Sequence, residues 1–185
     1  QAHGEFSFDL LADGDPDQWR LDPDLAGGGA FMDIGVYPLN TVRFVADAAP
    51  VAVSATHTES PPEFTGLDEH VSFQVEYENG LTGSFTSSYG AAGANRMSIL
   101  GTEGRIVAEP FYDENADRTI TIERDGGSTT VDATEPREMV EEFDYFATGV
   151  LTDMEIEPDG RQGLHDVRVA EAVYESSETG RRVDI

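Results

Sequence analysis

The chain has 185 residues, enough for one domain with a real hydrophobic core, and its 38% hydrophobic and 26% charged content is an ordinary globular balance. The charge itself is not ordinary: 37 Asp and Glu face 11 basic residues, all of them Arg, for a formal net charge of -26. No basic stripe exists to neutralise phosphates, which disfavours nucleic-acid binding; the absence of Cys excludes disulfides and thiolate metal sites, and no apolar run approaches the ~18 residues of a membrane span.

Surface carboxylates hold water and cations, while excess like charge destabilises a compact chain in dilute buffer. At molar salt the Debye length falls to roughly 3 Å and that cost largely vanishes. With 10 Phe and 6 Tyr set in regular apolar patterns, the composition points to a folded halophilic protein of a high-salt cytoplasm rather than an acidic disordered one. Gln1 opens directly into strand-like sequence with neither Met nor signal peptide, so the chain is expected to begin in the middle of something longer.

In chain order, residues 2–8 alternate loosely and predict a strand. Residues 13–23 form a polar Asp-, Gly- and Pro-rich loop holding Trp19 and Arg20. Gly27, Gly28 and Gly29 lead into a helix over about 30–46, with Phe31, Ile34, Pro38, Val42 and Val45 on one side. After Pro50 the period changes to two. Val51, Val53 and Ala55 form one strand, and Val71, Phe73, Val75 and Tyr77 form another. Asn79-Gly80 then makes a hairpin turn into a strand over 81–89. Further strands are expected at 96–100, 105–109, 119–124 and 128–131. Two helices close the chain, over 136–150 with Met139, Phe143, Phe146 and Val150, and over 164–178 with Leu164, Val167, Ala170, Val173 and Tyr174. Strands clustered between helical zones predict an α+β domain, an open mixed and largely antiparallel sheet with helices packed on one face. The uncovered face is then a natural oligomer surface.

The helix after the glycines draws attention. At 100° per residue Asp33, Tyr37, Asn40 and Phe44 share a narrow sector opposite the apolar side. Pro38 leaves the Ile34 carbonyl without its helical donor and predicts a kink. The glycines leave bare N–H groups that favour an anion, or they simply give room for tight packing. Asp33 and Tyr37 present hydroxyl-binding groups to a polar ligand, or pair with neighbouring loops; residue types alone leave both open. The run is no dinucleotide fingerprint, because position 32 is Met and no hydrophobic strand precedes it. His3, His57, His70 and His165 show no ligand spacing and no metal is assigned; His165 beside Asp166 is expected to face solvent or pair locally.

The run Trp19-Arg20-Leu21-Asp22-Pro23-Asp24-Leu25-Ala26-Gly27-Gly28-Gly29-Ala30-Phe31-Met32-Asp33-Ile34-Gly35-Val36-Tyr37 resembles the glucose-fructose oxidoreductase / inositol dehydrogenase / MocA family. It is most similar to the branch with glucose-fructose oxidoreductase and NADP-dependent D-xylose dehydrogenases. Thr86-Ser87-Ser88-Tyr89, Ile99-Leu100-Gly101-Thr102-Glu103-Gly104 and the closing Thr179-Gly180-Arg181-Arg182-Val183 extend the likeness over essentially the whole chain.

The resemblance implies a two-domain enzyme, of which residues 1–185 are the single substrate-binding and oligomerisation domain. The N-terminal Rossmann domain, holding NADP or NAD and supplying a catalytic Lys from a Glu-Lys-Pro motif, is absent from this chain. It implies oxidation of an aldose, D-xylose or D-glucose, at C1 to the lactone. Tyr37 would be the general acid/base and Asp33 would orient the sugar and the Lys. Trp19, Arg20, Asn40 and Tyr89 are the substrate-binding candidates; no cofactor-binding residue is assigned within the chain. Partners implied are the sugar, the chain's own Rossmann domain and a second copy through the open sheet face. With no Lys in the sequence, the fragment alone is expected to be inactive. The alternative is a non-catalytic oligomerisation or binding module of the same fold.

Overall fold

The structure, a computed structural model, describes residues 1–12, 14–113, 116–133 and 138–185. Among the described residues, nine strands form one sheet in the order β8-β7-β6-β5-β1-β4-β3-β2-β9. They are β1 Ala2–Asp9, β2 Pro50–Thr58, β3 His70–Tyr77, β4 Thr82–Ser88, β5 Gly90–Leu100, β6 Gly104–Ala108, β7 Thr119–Arg124, β8 Gly127–Asp132 and β9 Val183–Asp184. Among these nine described strands, β1 and β4 run parallel and every other neighbouring pair is antiparallel. The parallel pair follows from the helical crossover between β1 and β2, which returns the chain on the same side of the sheet.

That crossover contains a one-turn 3-10 helix at Trp19–Leu21, the short helix α1 Pro23–Ala26, a π-helical turn Phe31–Gly35, and α2 Val36–Ala46. The region read as a plain polar loop over 13–23 therefore holds one short helical turn and leads into a second at Pro23. Asp22 caps the second by accepting the Asp24 N–H at 2.9 Å. The two closing helices are α3 Glu138–Thr152 and α4 Gly160–Thr179. Pro136, the expected start of α3, lies outside the described residues. Helix α4 begins a turn earlier than its apolar pattern, because Asp159 accepts the N–H groups of Arg161 and Gln162 at 2.9 and 3.0 Å.

The core lies between one sheet face and the helices. Leu39 and Val42 of α2 and Val169, Ala170 and Val173 of α4 pack against Val53, Val71, Phe73, Val75 and Phe85. The period-2 burial of β3 places Val71, Phe73, Val75 and Tyr77 inside and Ser72, Gln74 and Glu76 outside. The opposite face is uncovered and polar, with Glu5, Ser54, Thr56, Ser72, Gln74 and Thr86 exposed along it.

Three pattern readings need correction. Val45 is exposed near the end of α2, and Leu39, not assigned to the apolar side, is buried there with Pro38 and Val42. In α4, Leu164 and Val167 are exposed and the buried face is Val169, Ala170, Val173 and Ser176. Helix α3 does not join the helical layer: Met139, Phe143, Phe146 and Val150 are exposed, and within it only Gly149 is buried.

Candidate active site

Pro38 has no N–H to give the Ile34 carbonyl, and the ladder is already irregular one turn earlier, where the Val36 N–H reaches back five residues to the Phe31 carbonyl. The expected kink is thus a π-turn. Its apolar side holds Phe31, Ile34 and Pro38 in the core. Asp33 and Tyr37 are on the other side, and both line one cleft of about 580 Å³ with Val36, Asn40, Tyr112 and Arg118.

Tyr37 is 47% exposed. Its ring meets the edges of Phe6 and Tyr112 at centroid distances of 5.5 and 5.8 Å, and Phe6 and Tyr112 stack at 5.3 Å. The phenol thus stands on an aromatic floor with its ring fixed and its surface open. Tyr112 belongs to that floor, and burial pushes its own phenol up to about 12.

Asp33 accepts the Nε–H of Arg20 at 2.9 Å. The Arg20 guanidinium lies 4.5 Å from the centre of the Trp19 ring, so Trp19 touches the site through Arg20. Burial works against the Arg20 charge, but the bond and charge of Asp33 and the contact with Tyr89 leave its pKa raised. Tyr89 is 1% exposed and packs on Phe8 and Phe64, so it is not on the cleft wall. Its phenol reaches Asp33 from inside the protein. Burial first, then the Asp33 charge, holds it above the usual tyrosine range, and it remains a donor.

Asn40 lines the cleft, but its amide donates to Asp166 Oδ2 at 2.7 Å. Asp166 also takes Arg43 Nε at 3.0 Å and Nη2 at 3.3 Å, joining α2 to α4. Asp166 is therefore turned inward, not to solvent, and His165 beside it is half-buried. On the far wall the Arg118 Nη1–Glu138 ion pair of 2.5 Å ties the start of α3 to the cleft.

The glycine run has a definite explanation. Gly27 closes α1 with φ +71°, a left-handed conformation that favours Gly. A Cβ on Gly29 would sit 2.0 Å from the Asp68 carbonyl oxygen. The bare amides do bind an anion, and it is the chain's own: the Asp68 carboxylate accepts the N–H groups of Gly29 and Phe31, both at 2.7 Å. Among the described residues no group of His, Asp and Glu has the placement to hold a metal ion.

The sequence profile of the GFO/IDH/MocA C-terminal domain matches residues 1–107, more than half of the chain. The chain belongs to the GFO/IDH/MocA family. Among relatives, D-xylose 1-dehydrogenase [NADP(+)] of Haloarcula marismortui is 45% identical over 166 residues, and D-xylose 1-dehydrogenase (NADP(+)) 2 of Haloferax volcanii is 33% identical over 182. These alignments take in 89% and 97% of this chain but only 46% and 54% of those proteins, so the chain spans about half the length of the relatives it matches. Among solved structures, aldose-aldose oxidoreductase from Caulobacter crescentus, complexed with glycerol, superposes over 100% of this chain and 55% of its own with a TM-score of 0.91 at 31% identity. The open mixed sheet with helices on one face is the fold of that oxidoreductase structure.

Within this GFO/IDH/MocA domain, the cleft residues that the sequence reading did not assign to a site include Tyr112, Arg118, Glu138 and Asp166. Asp166 had a signal, an acid early in a capped helix. Tyr112 had none, since it lies between strands in a stretch without periodicity.

Proposed function

We propose that this chain is the substrate-side domain of an NADP-dependent sugar oxidoreductase, which oxidises an aldose, D-xylose or D-glucose, at C1 to the lactone in a high-salt cytoplasm. One observation carries the reading: a carboxylate and an exposed phenol, Asp33 and Tyr37, line a single cleft. The names of the two haloarchaeal relatives supply the sugar and the preference for NADP over NAD, and the net charge of -26 supports the salt.

The residues present fit the wall that faces a dinucleotide, not its holder. Asp68 already occupies the amides of Gly29 and Phe31, so the glycine turn has no cradle left for a phosphate. A Rossmann domain outside this chain would hold the cofactor, and the chain alone would be inactive.

The dinucleotide, held by that Rossmann domain, would supply a hydride acceptor for C1. Tyr37, as phenolate, takes the C1 hydroxyl proton as the carbonyl forms. A free phenol has a pKa of about 10, so a cation beside it, the partner domain's lysine, has to lower it for work near neutrality. Asp33, held on one side by Arg20, orients the sugar hydroxyls and that lysine by accepting hydrogen bonds. The exposed Trp19 ring offers an apolar wall to the sugar, and Arg20 a donor; Asn40 contributes its amide oxygen, its Nδ2 being held by Asp166. Tyr89 serves from behind, through Asp33, rather than by touching sugar. The uncovered polar sheet face supports pairing of two copies.

The test is the full-length protein in molar potassium chloride, given D-xylose or D-glucose with NADP or NAD. The reading expects sugar-dependent NADP reduction and lactone product. A folded full-length protein that reduces neither cofactor with any aldose would leave the alternative, a binding or oligomerisation module.

A further inference from the structure

We infer that Asp68 is a positioning residue of this site, a buried carboxylate that fixes the start of the helical segment carrying Asp33 and Tyr37. The catalytic consequence rests on the function proposed above; the clamp itself does not.

Asp68 is 3% exposed, and no ion pair involves it among the described residues. Three donors compensate its charge instead. Oδ1 accepts the Gly29 N–H at 2.7 Å and the Tyr174 hydroxyl at 2.8 Å, and Oδ2 accepts the Phe31 N–H at 2.7 Å. Its own carbonyl takes the Ala30 N–H at 2.8 Å. Residues 29, 30 and 31 are thus all bonded to one residue, and Asp33 follows two positions later. Charge-assisted bonds of this kind are short, directional and about twice as strong as neutral ones.

The clamp is anchored on the sheet. Next to Asp68, the Glu69 N–H donates to the Thr58 carbonyl at 2.9 Å, and the Glu69 carbonyl accepts the Tyr89 N–H at 2.8 Å. Tyr89 is the residue whose phenol reaches Asp33 from inside. Tyr174 brings in α4, and its ring lies edge-on to Phe31 at 5.8 Å. Close approach leaves no room for side chains: a Cβ on Gly28 would meet the Tyr174 hydroxyl at 2.3 Å. One carboxylate therefore joins the sheet, α4 and the glycine turn at the point where the helical segment begins.

A buried charge is costly where a neutral side chain could fill the space. What it gives in return is placement, because an ångström of misplacement at a reacting group can cost on the order of a hundredfold in rate.

The experiment compares wild type, Asp68→Asn and Tyr174→Phe in the full-length protein at molar potassium chloride. Asp68→Asn is expected to lower kcat by at least about tenfold with sugar KM changed far less, and Tyr174→Phe, losing one bond of three, by roughly threefold. Simple loss of folded enzyme scales kcat equally at every pH. A displaced Tyr37 instead moves the acidic limb of kcat/KM to higher pH, by about half a unit or more. Hydrogen exchange reads the clamp without catalysis: the Gly29 and Phe31 amides should exchange at least about tenfold faster in Asp68→Asn, with Phe73 and Phe85 unchanged.

Wild-type kcat and pH profile in Asp68→Asn, or unchanged exchange at Gly29 and Phe31, would overturn the inference. If Asp68→Asn fails to fold, Tyr174→Phe decides by the same two readouts. A wild type inactive on every aldose would defeat the proposed function and the catalytic consequence, and the exchange result would still decide the clamp.

Discussion

Arg20 Nε lies 2.9 Å from Asp33 Oδ2, joining a residue of the first crossover turn to one on the π-helical turn. The guanidinium is held on its other side by the Trp19 ring and reaches the Tyr89 phenol. Asp33 is therefore approached from within this chain by one cation and by the Tyr89 phenol, and its remaining accepting capacity is left for the cleft.

Arg20→Lys should not be conservative. An ammonium keeps the charge but has no planar fork to lie on Trp19 and bond Asp33 at once. In the full-length protein kcat/KM is expected to fall roughly tenfold, the equivalent of about 1.4 kcal/mol for one charge-assisted bond. Steady-state kinetics with D-xylose check it, with melting temperature as the control.

Asp166 holds Asn40 and the Nε–Nη2 edge of Arg43, and the side chains of Arg43 and Asp166 are only 14% and 15% exposed. Asp166→Ala leaves a shielded guanidinium without its partner and should destabilise by about 3 kcal/mol. The pair Arg43→Met with Asp166→Leu should recover most of that. Denaturant unfolding of the three proteins at fixed salt measures it.

Burial raises the phenols of Tyr77, Tyr89, Tyr112 and Tyr174. The unfolded chain ionises at about 10, so each contributes stability that is complete below that pH and is lost as pH rises toward the folded value. For Tyr112 that value is about 12. Stability should thus fall steeply above pH ~10, and Tyr112→Phe should flatten the fall by about 1.4 kcal/mol per pH unit. Unfolding curves from neutral to strongly alkaline pH test the slope.

Salt should stabilise the fold. With a net charge of -26, screening relieves repulsion that dilute buffer leaves in place. Each kcal/mol of relief raises Tm by about 2–4 °C for a chain of this size. Thermal melts across potassium chloride concentration should show a steady rise, and a flat series would contradict it.

Sequence patterning carried the sheet well because period-2 burial is local: Val71, Phe73, Val75 and Tyr77 alternate as read, and Asn79-Gly80 turns the chain with Gly80 at φ +82°. The Asp33 and Tyr37 pair was also legible, since residues four apart on a helix share a side whatever surrounds them. The supports were not. Asp166 meets Arg43 across 123 residues of sequence, and Asp68 meets Phe31 across 37, so only the topology brings them together. Asp68 sits in a polar, acidic stretch that reads as surface and is buried because the glycine turn supplies its donors. Helix α3 has an apolar periodicity that predicts a packed face; that face is exposed in this chain, and pattern alone does not say what an apolar stripe meets.

Tyr37→Phe in the full-length protein is the most direct trial of the site, because it removes one oxygen and leaves the ring on Phe6 and Tyr112. As loss of the proposed general base, it predicts a fall in kcat of at least about a hundredfold with the fold and sugar KM little changed. A variant that turns over D-xylose at the wild-type kcat would contradict the account.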